Sequence, residues 1–210
     1  MATANGSEPA SSPSSPSVFL NLPFDRKFER LSLAYIAGVT AFGLTPRAAL
    51  ETYGSKRRLD RICEILSECQ YSIHDLSGVQ LDRRPPPTPH FNMPFELGLA
   101  VAHERAGHGH ALIVFEQMKE RIAKSLSDLD GTQVCIHDGT IKGVFRELCN
   151  ALSSQKRNPT LTQMRMIYGH LREATPELLR RTGSKTLFEA RPFRDVCVIA
   201  SNLADRIVTG

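Results

Sequence analysis

From residue 18 to about residue 152, short apolar runs alternate with longer stretches whose apolar residues recur at helical spacing. Val18-Phe19-Leu20-Asn21-Leu22 reads as a buried strand. Phe24 to Val39 follows as a helix, with Phe28, Leu31, Leu33, Ala34, Ile36 and Ala37 apolar. Gly43 and Leu44 open a second strand that reaches Pro46 or a little beyond, and Lys56 to Cys69 carries the next helical stripe. Tyr71 to Asp75 is the third strand, Pro94 to Arg105 a helix, and Ala111 to Phe115 the fourth and clearest strand. Gln133 to His137 is the fifth strand, and Ile141 to Leu152 the helix after it. Beyond that the strands stop. Thr160 to Tyr168, Pro176 to Arg181 and Pro192 to Val208 read as three further helices, because Thr175-Pro176-Glu177 and Arg191-Pro192 place proline where a helix can begin.

This alternation predicts an α/β fold: a doubly wound, five-stranded parallel sheet in the order 2-1-3-4-5, with a C-terminal helical extension. The expected organisation is a disordered Ser/Pro/Ala-rich lead over 1–16, an α/β domain over 17–154 and the extension over 155–210. In such sheets ligands bind where the carboxyl ends of strands one and three lie side by side.

Composition narrows the class. Hydrophobic residues make up 41% and charged residues 23%, which suits a globular core. No run approaches the ~20 apolar residues of a membrane span. The N-terminus lacks a basic region followed by an apolar stretch, so no secretory signal is expected. The 5 cysteines contain no C-x-x-C pair, which fits a reduced, cytoplasmic chain. The net charge of +4 is uneven: residues 155–210 hold 10 Lys+Arg against 5 Asp+Glu. A basic tail suits nucleic acid or an acidic partner. Here acids are interspersed among the bases, so nucleic acid is not expected and a solvated helical face is.

Three stretches send polar groups toward the expected crevice: Asn21-Leu22-Pro23-Phe24-Asp25, His74-Asp75-Leu76-Ser77 and Asn92-Met93-Pro94-Phe95-Glu96. Pro94 belongs in a first helical turn, which puts Glu96 there too. The positive end of the helix would then favour its ionised form, and suit a nucleophile or charge stabiliser. The same glutamate can equally serve as a plain helix cap. Asp75 either caps the turn that follows or shares proton work with Glu96. His74 alternates with Asp75 and is expected to be structural on the other face. The segment from Ser77 to Asn92, with Pro85-Pro86-Pro87-Thr88-Pro89, reads as a stiff wall or lid. His103, His108 and His110 invite a metal reading, but no cysteine or carboxylate cluster joins them apart from Glu104, so neither metal nor other cofactor is expected. Dinucleotide, P-loop and nucleophile-elbow fingerprints are missing; Gly54-Ser55-Lys56 and Gly183-Ser184-Lys185-Thr186 lack the rest of a P-loop.

The strand "VFLNLPFD", then "YSIHDLS", then "NMPFELGLAVA" resembles the nucleoside 2-deoxyribosyltransferases and their relatives, the TIR-like N-glycosidases. The likeness runs from about Val18 to Phe115 and leaves the tail outside. It falls on Pro23 and Phe24, on Asp75 and Ser77, and on Glu96, Gly98 and Ala100. It implies a flavodoxin-like sheet, Glu96 as the nucleophile at the anomeric carbon, and Asp75 as its helper. His90-Phe91-Asn92-Met93-Pro94 departs from the aspartate and small residues common in those transferases.

The expectation is cleavage or transfer of an N-glycosidic bond in a nucleoside, nucleotide or NAD-like substrate. Asn21, Pro23, Phe24, Arg47, Ser77, Asn92 and Met93 would bind substrate. The backbone N–H groups near Pro23-Phe24-Asp25, with Arg47, would hold a phosphate. The alternatives are a non-catalytic nucleotide-binding sensor and an interaction module. The tail helices are a candidate surface for a homo-oligomer.

Overall fold

A computed structural model describes residues 15–51, 57–79, 81–82, 88–107, 109–126 and 133–210. Strand β1 (Ser17–Asn21) leads through a 3-10 turn (Arg26–Phe28) into helix α1 (Glu29–Ala41). β2 (Thr45–Arg47), α2 (Arg58–Glu68) and β3 (Tyr71–Asp75) follow. Then come a 3-10 turn (Leu76–Gly78), the short strands β4 (Leu81–Asp82) and β5 (Thr88–Pro89), α3 (Asn92–Arg105) and β6 (Ala111–Glu116). The short α4 (Arg121–Ser125), β7 (Val134–Ile136), α5 (Ile141–Ala151), α6 (Leu161–Thr182) and α7 (Ala190–Val208) complete the chain. Strands β2, β1, β3, β6 and β7 form one parallel sheet in that order. With β6 and β7 counted as the fourth and fifth strands, this is the expected order 2-1-3-4-5.

The pleat sorts side chains to the two faces. Val18 and Leu20 of β1 and Ile73 of β3 join a cluster with α1, α5, α6 and α7. Phe19, between Val18 and Leu20, packs the other way against Ile62, Ile65 and Ala100 of α2 and α3. Helix α1 is covered on two sides. Every residue from Leu31 to Ala41 is buried, because the sheet lies against one side and α6 and α7 cover the other. This explains a stretch too apolar for a one-faced surface helix. Met164, Ile167 and Leu171 of α6 and Val196 and Ala200 of α7 share that cluster with Ala34 and Ala37. The C-terminal helices therefore extend the same core.

Three elements differ from the sequence reading. The stretches read as separate helices over 160–168 and 176–181 are one helix, α6, with Pro176 inside it. Met164, Leu171 and Leu178 recur every seven residues on its buried side, and their burial outweighs the proline. Thr160 starts α6 through a capping box with Gln163, and no proline is needed there. Among the described residues of the segment from Ser77 to Asn92, a 3-10 turn forms the base and β4 pairs antiparallel with β5. Pro85, Pro86 and Pro87 lie outside the described residues, as do residues 1–14, Gly54-Ser55-Lys56 and His108. The short helix α4 has no counterpart in the sequence reading. Among the described residues no helix is long and apolar enough to cross a membrane.

Candidate functional site

The carboxyl ends of β1 and β3 are adjacent, with Asn21 paired to His74 in register. On the α2/α3 face, the Asn21 amide Nδ2 donates to His74 Nδ1 and to the Met93 carbonyl, each at 3.0 Å. One side chain thus ties β1 and β3 to the head of α3. With Nδ1 accepting, the His74 ring proton sits on Nε2, which is buried and has no hydrogen-bond partner. Burial, with the neighbouring His110 adding to it, pushes His74 down to about 3, so the ring is neutral.

Glu96 rises from α3 on this same face. It is the fifth residue of the helix, two residues further in than the sequence reading placed it, since α3 starts at Asn92. Pro94 still sits where no N–H is needed. Only 4% of Glu96 is exposed. Its carboxylate meets the exposed guanidinium of Arg58, at the head of α2, at 3.4 Å. Burial raises its pKa, and the Arg58 charge and hydrogen bond only partly oppose this. Its pKa therefore lies above the ordinary carboxylate value rather than below it. Around it Met93 is buried, Asn92 is exposed, and Phe91 and Phe95 are 66% and 56% exposed.

Asp75 faces the opposite side of the sheet and is 0% exposed. Its Oδ2 accepts from the Tyr35 hydroxyl at 2.7 Å and lies 3.1 Å from His137 Nε2. Its Oδ1 accepts from the Ser77 backbone N–H at 2.9 Å and so caps the 3-10 turn. Burial pushes its pKa up, but hydrogen bonds from His137 and Ser77 outweigh that and leave it below the usual range. The structure does not bring Asp75 and Glu96 together. Asp75 is an internal strut joining β3, α1 and the end of β7. His137 Nδ1 accepts from the Gly139 N–H at 3.1 Å, so Nε2 carries the proton toward Asp75 and the Ser77 hydroxyl, 2.9 Å away. Ser77 is buried, its hydroxyl within hydrogen-bond reach of His137 and Asp75.

The other expected binding residues divide. Pro23 is buried against Gly78, where an added Cβ would come within 2.6 Å of the proline ring. Phe24 packs on Phe188, their ring centroids 5.4 Å apart. Asp25 accepts from the Lys27 N–H at 2.9 Å, so its own carboxylate occupies the anion position expected for a phosphate. Arg47 bonds Glu68 at 3.1 Å, at the far end of α2 from Arg58. Ten residues of helix separate those two positions, about 15 Å of rise, so the Arg47 head is drawn away from Glu96.

Sequence reasoning missed Arg58, Tyr35 and the pair Glu116–Arg121; it singled out Ile136 to Thr140 as the turn ending the fifth strand, without the His137–Asp75 contact that the fold makes. Buried Glu116 accepts from Arg121 Nε at 2.9 Å, and Arg121 Nη2 donates to the Leu76 carbonyl at 2.7 Å. No local pattern marks such partners. The exposed aromatic pair Phe91 and Phe95, four apart, was the one signal available. His110 spends its ring nitrogens on the Cys69 carbonyl and the Ser72 hydroxyl, each at 2.8 Å. Among the described residues no three histidine, cysteine or carboxylate side chains gather as a metal site. Two surface grooves of about 590 and 550 Å³ lie elsewhere, and Glu96 lines neither.

No protein-family model matches the chain, and no curated protein matches it significantly.

Proposed function

We propose that the chain cleaves or transfers the N-glycosidic bond of a nucleoside, nucleotide or NAD-like substrate, with Glu96 as the acting carboxylate. The observation that carries this reading is a carboxylate with 4% exposure at the head of α3, beside the switch point of the sheet. N-glycoside cleavage builds positive charge on the sugar. A carboxylate stripped of water binds such a cation more strongly, for the same reason that it binds a proton more strongly. Arg58 holds part of that affinity back until a sugar arrives. Phe91 and Phe95 offer exposed rings on which a base can stack. The resemblance of "NMPFELGLAVA" to the transferases supports the same role. Asp75 has no accessible oxygen for the reaction, so protonation of the departing base falls to water at the exposed Asn92 edge.

The test is release of free base. The full chain is incubated with a panel of nucleosides, nucleotides and NAD, and the products are separated by chromatography. Glu96→Gln is expected to lower release by about 10²-fold or more while leaving the fold intact. Equal rates in wild type and variant, or no base from any substrate, would sink the proposal. A second reading, a nucleotide sensor without turnover, draws on the Arg58–Glu96 ion pair and the sealed position of Asp75. Saturable binding at this site without base release would favour it.

A further inference from the structure

A groove of about 590 Å³ runs between the edge strand β2, helix α2 and helix α7. Four arginines are among its lining residues: Arg47, Arg61, Arg191 and Arg194. No carboxylate is among its described lining residues. Glu68 and Glu64 hold Arg47 and Arg61 at 3.1 Å, and Asp195 stands 3.9 Å from Arg191, yet none of these acids faces the groove. A guanidinium has five N–H donors, so the carboxylate neighbours of Arg61 and Arg191 orient those groups without exhausting them. Pro46 and Phe193 give the groove an apolar part, and Ser201 and Asn202 add neutral polar groups.

This combination selects among anions. The volume falls within the range of small-molecule pockets, about 300–1,000 Å³. An extended peptide is a poor fit, because β2 is an edge strand with a proline at its centre. Thr45 turns its N–H inward to the Pro16 carbonyl at 2.9 Å. The next N–H would point outward, and Pro46 has none, so an added strand would find no donor there. Clustered arginines recognise phosphate oxygens in pairs, and a doubly charged phosphate gains more from them than a single carboxylate does.

We propose that the groove between β2, α2 and α7 binds a small phosphate ester, its phosphate held by arginines and its organic part resting on Phe193 and Pro46. This site is distinct from Glu96 and does not depend on catalysis there.

Titration calorimetry on the full chain, with AMP, adenosine, inorganic phosphate and citrate as probes, tests it. AMP is expected to bind saturably, at least about tenfold tighter than adenosine and more weakly as salt is raised. Arg191→Gln and Arg194→Gln, both at exposed positions on α7, are each expected to weaken AMP by about fivefold. Arg172→Gln on α6 is expected to bind AMP as wild type does. Three results would overturn the proposal: no AMP binding up to about 10 mM, equal affinity for AMP and adenosine, or wild-type affinity in the Arg191→Gln/Arg194→Gln double variant. Citrate binding more tightly than AMP would overturn the choice of phosphate. Weakened AMP binding in the Arg191→Gln/Arg194→Gln double variant, with base release from a nucleoside unchanged, separates this site from the catalytic one.

Discussion

Burial acts on Glu96 and Asp75 alike, yet their neighbours drive the two carboxylates in opposite directions. Glu96 has Arg58 at 3.4 Å, which only partly offsets desolvation, so its pKa is raised. The folded protein then holds that proton more tightly than the unfolded chain. The stability it contributes is complete below the ordinary carboxylate pKa and is lost as pH rises through the raised value. Glu96→Gln has no such loss. It is expected to match wild type near pH 4 and to become more stable than wild type toward pH 7, read by urea denaturation at both pH values. Asp75 is the reverse case. Its pKa is lowered, so its contribution is present above the ordinary carboxylate pKa and is lost as pH falls. Asp75→Ala leaves the Tyr35 hydroxyl and the Ser77 N–H without an acceptor in a dry interior, and leaves His137 Nε2 only the Ser77 hydroxyl. A cost of about 3–5 kcal/mol is expected at pH 7, measured in the same experiment. A variant at Asp75 no less stable than wild type would show that it is not a strut. Glu96 and Asp75 were both legible as candidates in the sequence, since each ends or opens an element. Their difference was not, because Tyr35 and His137 are brought to Asp75 from distant parts of the chain.

Helix α6 shows how burial overrides a local signal. Pro176 can donate no hydrogen bond to the carbonyl one turn back, and the nearby Thr175 hydroxyl donates to the Leu171 carbonyl at 2.7 Å. The helix continues because Met164, Leu171 and Leu178 must all reach the shared core. Pro176→Ala is expected to stabilise the protein by about 1–3 kcal/mol, seen as a higher Tm. An unchanged or lower Tm would mean that the proline fits the helix without cost. Elements with one buried face, such as α2 and α5, read clearly from their periodicity. Helix α1 carries apolar residues all round, so its sequence could announce a helix but not what covers its outer side.

That outer side is where α6 and α7 lie, so the α/β part and its extension share one cluster of buried residues. A chain ending at Ser154 would expose the α1 surface that Ile167, Leu171, Val196 and Ala200 now cover. It is expected to lose cooperative unfolding or to aggregate, checked by thermal denaturation and size-exclusion chromatography. A soluble, cooperative fragment would show that the extension is a separate unit. The alternation of apolar runs and helical stripes was enough to mark the strands and helices of a parallel α/β fold, because those patterns are local and repeat along the chain; the order 2-1-3-4-5 was expected only as the common one for five strands. What only the tertiary structure decided was which groups meet: Arg58 with Glu96, Tyr35 and His137 with Asp75, and the arginines of β2, α2 and α7 around one groove. Those meetings join residues far apart in the chain, and the charge state and accessibility of each group follow from its neighbours in space.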